Sequence, residues 1–572
     1  MADRRAFLRI CALAGFAPAV GEGLWNRLQA EKPMAGPGGP QSASPGSITS
    51  EMVKAAAAVV GIHYTQAERE FMLGFLDSNL ESYEALRGVH FPHETLPALR
   101  FSPLLPGRQP PAQPRTRRAV APRRLLLERP AANSDLAFLT VVELADLIRT
   151  RRVTSTELTR VYLNRLRRFN PSLRCVVNLT EERAFRKAAE ADRAIAAGKY
   201  LGPLHGIPYG VKDLLSVPGY PTTWGAAIYK ERVLDTTATV VERLDAAGAV
   251  LIAKLSTGEL ALNQTWFGGQ TMNAWRRTEG AGGSSGGSAV ATSAGLVGFA
   301  LGTETIGSIV TPATRNGVSG LRPTFGRVSR HGAMTLCWSL DKVGPMARSI
   351  EDCALVLEAI AGPDGKDPTV VPVPFDWDPG RPLSSVRVGY FKAAFEAPRQ
   401  GKLRDDFALG QLRKLGVNLV EVDLPTDIPL DALKIILVEA AAGFDEITRT
   451  GEIDLLAEQH STAWPNFFRS SRLIPAVEYL QAQRIRTLLM QRMEEVFREV
   501  DVFVAPTFGV VLVTNLTGHP CAVLPNGFND EDMPASLSFI GKLYGEAELC
   551  TVARAWQEAS GWHRRRPSGY TD

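Results

Sequence analysis

Residues 280–288 read Gly-Ala-Gly-Gly-Ser-Ser-Gly-Gly-Ser, and they constrain the fold most because five are glycine and three are serine. Glycine has no Cβ, so this backbone can approach other segments closely and adopt angles that other residues avoid. The small, apolar residues 289–300 follow directly and are typical of a buried helix and strand packed on a sheet. We therefore predict an ordered turn within a large core, although a flexible Gly/Ser linker would have the same composition.

Two further motifs match the serine-rich turn chemically. They are Lys212 in Gly-Ile-Pro-Tyr-Gly-Val-Lys-Asp and Ser308 in Gly-Thr-Glu-Thr-Ile-Gly-Ser. A serine hydroxyl is a weak nucleophile and needs a base within hydrogen-bond reach. A lysine can be that base if it acts through Ser284, and no histidine is then required. The three motifs together indicate a Ser-Ser-Lys catalytic arrangement.

The lysine can act as a base only when it is uncharged. Its ordinary pKa is near 10.4, so roughly four molecules in ten thousand are neutral at pH 7. Burial in an apolar site lowers a lysine pKa because it disfavours the charged form. Val211, Leu214 and Leu215 are compatible with burial of Lys212. The carboxylate of Asp213 would oppose this effect, so we predict that it points away.

In this order and with these flanks, the motifs resemble the amidase signature family. The two serines are 24 residues apart, which is the family's usual interval, and the close match runs from Leu204 to Ile360. Weaker resemblance runs from about Leu139 to Pro567. The resemblance implies an α/β fold, with one large domain built on a mixed, twisted central β-sheet covered by helices on both faces.

The resemblance also implies a role for each residue of the three motifs. Lys212 would be the base, Ser284 a proton relay on a cis peptide bond, and Ser308 the nucleophile that attacks a small-molecule amide. The backbone N–H groups of the loop before the nucleophile would form an oxyanion hole, and three residues of the turn would support the relay. The oxyanion residues are Thr305, Ile306, Gly307 and Ser308, and the supporting residues are Gly283, Ser285 and Gly286. No cofactor is implied, and a homodimer stays open.

The chain departs from the family pattern at three positions near the nucleophile. Glu304, Ile306 and Val310 stand where the family typically has Asp, Gly and Arg. These changes concern the shape of the pocket and the support of the loop. They leave two alternatives to an amidohydrolase, namely a catalytically weakened binding protein on the same scaffold and an amidotransferase A-type subunit.

Other motif matches are weaker. Ser339-Leu-Asp-Lys342 fits the Ser-x-x-Lys pattern of penicillin-binding enzymes, but Ser-Asp-Asn and Lys-Thr-Gly are missing. Residues 283–287 fit the Gly-x-Ser-x-Gly nucleophile elbow, which requires a downstream histidine such as His331, His460, His519 or His563. That elbow would leave Lys212 and Ser308 unexplained. His90 and His93 have no third ligand nearby, so no metal site is predicted.

Composition does not indicate a nucleic acid partner. A net charge of +4, from 64 basic and 60 acidic residues, is close to balanced and does not imply nucleic acid binding. Hydrophobic residues make up 45% of the chain, as in ordinary globular proteins. The cysteines outside the leader lack Cys-x-x-Cys spacing, which favours buried thiols over a zinc site or disulfide framework. They are Cys175, Cys337, Cys353, Cys521 and Cys550.

The N-terminal region divides into four segments before the catalytic domain. Residues 1–19 resemble a twin-arginine export signal, with Arg4-Arg5, a short apolar stretch and an Ala-x-Ala site, and predict an exported protein. The apolar stretch is too short to span a bilayer, so no stable membrane insertion is expected. A Gly/Pro/Ser-rich linker at 20–49, a helical appendage at 50–100 and a Pro/Arg-rich connector at 101–134 precede the amidase-like domain at 135–567.

Periodicity predicts alternating helices and strands within that domain. Apolar residues three or four apart indicate helices at 140–150, 154–169, 184–197, 405–415 and 476–500. Apolar runs rich in β-branched residues indicate strands at 250–254, 298–301, 386–390 and 502–505. This alternation is typical of a sheet covered on both faces.

Overall fold

The structure is a computed structural model that describes residues 48–87, 99–105, 107–109, 125 and 127–571. The chain forms two compact units, residues 1–90 and 91–572. The predicted export signal and almost all of the predicted linker lie outside the described residues, as do His90 and His93.

The described part of the first unit is a pair of helices, α1 (Ser50–Val59) and α2 (Gln66–Arg87). Thr49 caps α1 because its hydroxyl accepts a hydrogen bond from the N–H of Met52. Val53 and Ala57, four residues apart on one face of α1, are buried.

The second unit begins with helices whose starts are marked in the sequence by capping residues. The Thr140 hydroxyl and the Glu143 carboxylate form a capping box at the start of one helix, and Thr154 caps the next. The described α-helices of this unit are α3 (Asn133–Ala137), α4 (Val141–Arg149), α5 (Ser155–Leu173), α6 (Glu181–Ala196), α7 (Thr239–Ala246), α8 (Gly286–Ser293), α9 (Val310–Asn316), α10 (Ile350–Ile360), α11 (Lys392–Glu396), α12 (Lys402–Lys414), α13 (Val438–Gly443), α14 (Asp445–Thr450), α15 (Trp464–Ser471), α16 (Ala476–Glu499), α17 (Val511–Leu516) and α18 (Glu546–Ser560).

Eleven strands of the described chain form one mixed sheet, and two more form a short hairpin. The strands are β1 (Val176–Leu179), β2 (Pro208–Lys212), β3 (Val250–Leu255), β4 (Thr265–Trp266), β5 (Gly269–Gln270), β6 (Phe299–Glu304), β7 (Ser319–Arg322), β8 (Lys342–Ala347), β9 (Val388–Phe391), β10 (Leu419–Val422), β11 (Val502–Pro506), β12 (Cys521–Phe528) and β13 (Pro534–Gly541). The order in the large sheet is β1-β3-β2-β6-β8-β7-β12-β13-β11-β9-β10.

The sheet is parallel at β3-β2-β6 and at β11-β9-β10, and antiparallel between its other neighbouring strands. Every residue of β2, β3, β6 and β8 is buried, as expected for central strands whose two faces are both covered. The predicted α/β domain with a mixed sheet between helices is therefore confirmed, and the helices and strands named from periodicity are all present.

The five cysteines of the second unit are free and buried, which confirms their prediction as thiols. No helix in the described ranges combines the length and apolarity that a membrane crossing requires.

Candidate functional site

The carboxyl ends of two adjacent parallel strands place the site. β2 ends at Lys212 and β6 ends at Glu304, and the two strands pair in register from Tyr209 opposite Phe299 to Val211 opposite Leu301. Parallel neighbours deliver the residues that follow them to the same edge of the sheet. Ser308 follows β6 by one short turn, so it reaches the edge where Lys212 lies.

The Lys212 ammonium is fully buried and contacts two hydroxyls. Its Nζ lies 2.8 Å from Ser284 Oγ and 2.9 Å from Thr303 Oγ1. Burial lowers the pKa of Lys212 to about 7, although the Asp341 and Glu304 carboxylates favour its charged form. With a pKa in this range, the uncharged lysine becomes accessible at neutral pH.

Asp213 turns away from Lys212, as predicted. Its carboxylate forms an ion pair with Lys254 at 2.7 Å, where both side chains are fully buried. It also accepts hydrogen bonds from the backbone N–H of Thr223, at 2.9 Å, and from the Thr223 hydroxyl. The negative charge next to Lys212 in sequence is thus neutralised elsewhere.

The serine-rich turn is ordered and packed against the backbone of another loop. The Gly283–Ser284 peptide bond is cis, which confirms that prediction. A Cβ on Gly283 would lie 1.5 Å from the carbonyl oxygen of Asn263, so only glycine fits there. The flexible-linker alternative is therefore wrong.

Ser285 ties the turn to β6 and to Ser308. Its hydroxyl donates to the Thr303 carbonyl oxygen at 3.0 Å and accepts from the Thr303 N–H at 3.2 Å. Its backbone N–H donates to the Ser308 carbonyl oxygen at 3.1 Å. The segments that carry Ser284 and Ser308 are thereby held beside each other.

Glu304 anchors the turn that presents Ser308. Its Oε2 accepts hydrogen bonds from the N–H groups of Ile309 and Val310, at 2.8 and 2.9 Å, where α9 begins. A carboxylate at a helix N-terminus satisfies N–H groups that have no partner within the helix. The longer side chain at position 304 therefore supports the loop.

A buried arginine keeps Glu304 ionised. Burial alone would raise the pKa of Glu304, but the charge and hydrogen bond of Arg322, 2.7 Å away, hold it at about 2. Asn515 donates to the same carboxylate at 2.8 Å, and Arg322 also donates to Thr514 and to the His519 carbonyl oxygen. Residues 514–519, which are distant from Glu304 in the sequence, therefore help to hold the Glu304 carboxylate in place.

The loop between Glu304 and Ser308 is free of side-chain strain. Ile306 does not adopt a positive φ, whereas Gly307 has φ of 87°, a region that favours glycine. The Thr305 hydroxyl donates to Asp341 at 2.6 Å. Among the described residues, none accepts a hydrogen bond from the backbone N–H groups of residues 305–308.

Ser284 and Ser308 open into a cleft of about 720 Å³. Its apolar lining includes Ile306, Leu336, Leu437 and Trp464, and its polar lining comes largely from residues 263–265 with Gln270, Arg315 and Glu458. Ile306 and Ser308 therefore lie in the same concave surface as the serine that contacts Lys212.

The competing motifs do not form catalytic arrangements. Ser339 donates to Glu439 at 2.6 Å, whereas Lys342 donates to Asn515 at 2.7 Å. The serine of the nucleophile-elbow match, Ser285, bonds to the Thr303 backbone and not to a histidine. His519 lies against Phe497, with ring centroids 4.6 Å apart, and is buried. No group of three or more His, Cys, Asp or Glu residues in the described chain is arranged to hold a metal ion.

The sequence motifs did not identify several residues of the site. Thr303 shares Lys212 with Ser284, Asp341 holds Thr305, and Arg322 with Asn515 holds Glu304. A carboxylate at the end of a buried strand needs a cation nearby, and the sequence places Glu304 at such a position. Nothing local identified Arg322 or Asn515 as its partners.

Comparisons with known proteins agree with this geometry. The Amidase family model matches residues 157–511. The A-type subunit of the glutamyl-tRNA(Gln) amidotransferase of Chloroflexus aggregans is 36% identical over 490 residues, which covers 76% of this chain and 99% of that protein. Its counterpart in Methylococcus capsulatus is 35% identical over 486 residues, with coverage of 76% and 99%.

Solved structures share the fold. The native peptide amidase from Stenotrophomonas maltophilia superposes with a TM-score of 0.66 at 30% sequence identity, covering 75% of this chain and 98% of that chain. The family-model match and the extent of these likenesses lead to one conclusion. The chain belongs to the amidase signature family.

Proposed function

We propose that this protein cleaves the carbon–nitrogen bond of an amide through an acyl-enzyme on Ser308. The observation that carries the proposal is the buried Lys212 Nζ, 2.8 Å from the Oγ of Ser284, which lines the same cleft as Ser308. A lysine whose pKa lies near 7 can accept a proton at neutral pH.

The proposed reaction has two halves. Uncharged Lys212 takes the Ser284 proton while Ser284 takes the Ser308 proton, and Ser308 Oγ attacks the amide carbonyl carbon. The relay then returns the proton to the leaving nitrogen as the carbon–nitrogen bond breaks. In the second half the relay takes a proton from a water that attacks the acyl carbon, and the proton returns to Ser308 Oγ as the bond between the acyl carbon and Ser308 Oγ breaks.

The backbone N–H groups of residues 305–308 are proposed to stabilise the oxyanion. Donors without another protein partner are available to a negative oxygen, and one such donor is typically worth about 2.7–4 kcal/mol of transition-state stabilisation. Glu304 and Asp341 support this role because they hold the two ends of the loop.

The proposal has two forms, an amidohydrolase and an amidotransferase subunit, which differ in what happens to the nitrogen released from the amide. The curated relatives are named as A-type subunits of an amidotransferase, so they favour a chain that works with partner subunits over a free-standing amidohydrolase. The similarity to a peptide amidase is the observation that supports the amidohydrolase. The anchored loop around Glu304 counts against the third candidate, a weakened binding protein.

Labelling by a serine-directed fluorophosphonate tests the nucleophile. Wild type should be labelled at Ser308, and Ser308→Ala should lose the label, whereas Ser470→Ala on an exposed helix face should keep it. Labelling of Ser308→Ala at another residue would refute the assignment, and an unreactive wild type would favour the binding protein.

Turnover by the purified chain separates the two enzymes. An amidohydrolase should release amine from some member of a panel of aliphatic, aryl, fatty-acyl and peptide amides without any partner. An A-type subunit should label with the phosphonate but turn over efficiently only with its partner subunits. The amidohydrolase is refuted if activity appears only in such a complex.

A further inference from the structure

Two charged side chains, Arg315 and Glu458, are found among the described residues that line the catalytic cleft. Arg315 is already paired, because its Nη2 lies 2.9 Å from Glu279 and its Nε donates to the Gly280 carbonyl oxygen at 3.3 Å. Glu279 also pairs with Arg276 at 2.7 Å, so the charge of Arg315, whose side chain is 41% exposed, is only partly neutralised.

Glu458 has no comparable partner. Its carboxylate lies 3.4 Å from Asn263 Nδ2 and 3.5 Å from His460 Nε2, both long contacts. No lysine or arginine of the described chain forms an ion pair with it at 4.0 Å or less, and its side chain is 24% exposed. The cleft therefore contains one carboxylate whose charge is not neutralised by a nearby lysine or arginine.

Two contacts hold Glu458 and its segment in place. Its partner Asn263 also supplies the carbonyl oxygen that packs on Gly283, the residue before Ser284. The segment that carries Glu458 is also held by Glu259, since Glu259 Oε2 accepts a hydrogen bond from the Ala457 N–H at 2.7 Å. Glu458 thus lines the same cleft as Ser284, and Asn263 contacts both Glu458 and the residue before Ser284.

Glu259 adds a second, buried carboxyl group under the same segment. It is 5% exposed, and its Oε1 has no hydrogen-bond partner among the described residues. Burial, together with the charge of Glu458, raises the pKa of Glu259 to about 7. A positive charge near Glu458 would favour both carboxylates, whereas a second negative charge would be repelled.

We propose that Glu458 forms a subsite for a positively charged amine, so that the protein prefers amide substrates carrying an ammonium group. The inference rests on the proposed function, because it names the substrate class of the same cleft. Trp464 and Leu437 lie in the same cleft and would contact the alkyl chain that carries the ammonium.

Binding of n-hexylammonium and of 1-hexanol, compared by calorimetry on the full chain, tests the subsite without requiring turnover. Wild type should bind the ammonium at least about tenfold more tightly than the alcohol, since hydrogen bonds to charged groups are the stronger ones. Glu458→Gln should abolish the preference, and Glu231→Gln, an equal charge change on an exposed residue, should keep it. The wild-type preference should also weaken with added salt.

Protection of Ser308 from fluorophosphonate labelling shows whether the ammonium sits in the cleft. Hexylammonium should slow labelling of wild type at lower concentration than hexanol, and Glu458→Gln should remove the difference. Equal binding of the two compounds to wild type, or a preference that survives Glu458→Gln, would overturn the subsite while leaving labelling at Ser308 intact. Failure of the proposed function would instead appear as no labelling at Ser308, with or without Glu458-dependent binding.

Discussion

Two buried ionisable residues at the edge of β2 and β6 meet opposite environments. Lys212 is surrounded by hydroxyls that cannot neutralise an ammonium, so burial lowers its pKa. Glu304 is buried to the same extent but contacts Arg322, which keeps it negative. The partner within hydrogen-bond distance, and not burial alone, decides which group keeps its charge.

Activity should depend on pH through Lys212. Its pKa is lowered and its uncharged form is the active one, so the rate should fall as pH drops through about 7 and level off at alkaline pH. The rate of Ser308 labelling between about pH 5 and 9 measures this directly. A flat profile would exclude lysine as the base, and Lys212→Met should lack the alkaline rise.

Removing the charge of Glu304 should destabilise the protein. Glu304→Gln leaves Arg322 buried without its anion, which typically costs about 3–5 kcal/mol. Urea unfolding should show the loss, and labelling of Ser308 should slow because the start of α9 loses its acceptor. Glu242→Gln is the matched control, because it removes an exposed pair with Lys366 that should contribute at most about 1 kcal/mol. Equal stability of the two variants would contradict the anchor.

At the scale of elements, the turn before α8 works because it is packed between two other segments. Gly283 touches the Asn263 backbone on one side, while Ser285 bonds to β6 and to the Ser308 segment on the other. A side chain at position 283 would push the turn away from the Asn263 backbone, and Ser284 would move with it.

Gly283→Ala should therefore abolish Ser308 labelling. The added Cβ would lie 1.5 Å from a backbone oxygen that cannot rotate aside, so the turn must shift. Gly410→Ala in α12 is the control, since its Cβ would meet nothing within 4 Å and alanine is favoured in helices by up to about 1 kcal/mol. Normal labelling of Gly283→Ala would mean that the turn tolerates a different packing.

At the scale of the whole molecule, the sheet brings together site residues that lie far apart in the sequence of the second unit. Asn515, which holds Glu304, precedes β12, and Glu458 lies between α14 and α15. The strand order places the β6 and β12 regions close enough for Arg322 of β7 to contact both. The proposed substrate preference therefore depends on a segment far from the three motifs.

We propose that residues 1–19 direct export of the folded protein. Replacing Arg4 and Arg5 together by lysine should keep the protein in the cytoplasm, whereas Arg9→Lys should not. Cell fractionation followed by phosphonate labelling of each fraction measures this. A cytoplasmic wild type would contradict export and would favour the amidotransferase form of the proposal.

The sequence by itself determined the elements and the chemistry that is local to them. Helix caps at Thr140 and Thr154 and the apolar runs of β3 and β11 each depend on neighbours within a few residues. Such interactions can be predicted because their partners are adjacent in the chain.

Only the tertiary structure decided which distant groups meet. The pKa of Lys212 depends on its burial and on the Asp341 and Glu304 carboxylates, and the position of the Glu304 carboxylate depends on Arg322 and Asn515. Likewise, the charge of Glu458 is not neutralised by an arginine or lysine because none in the described chain forms an ion pair with it. These are properties of distance and burial between remote segments, which no local pattern of residues encodes.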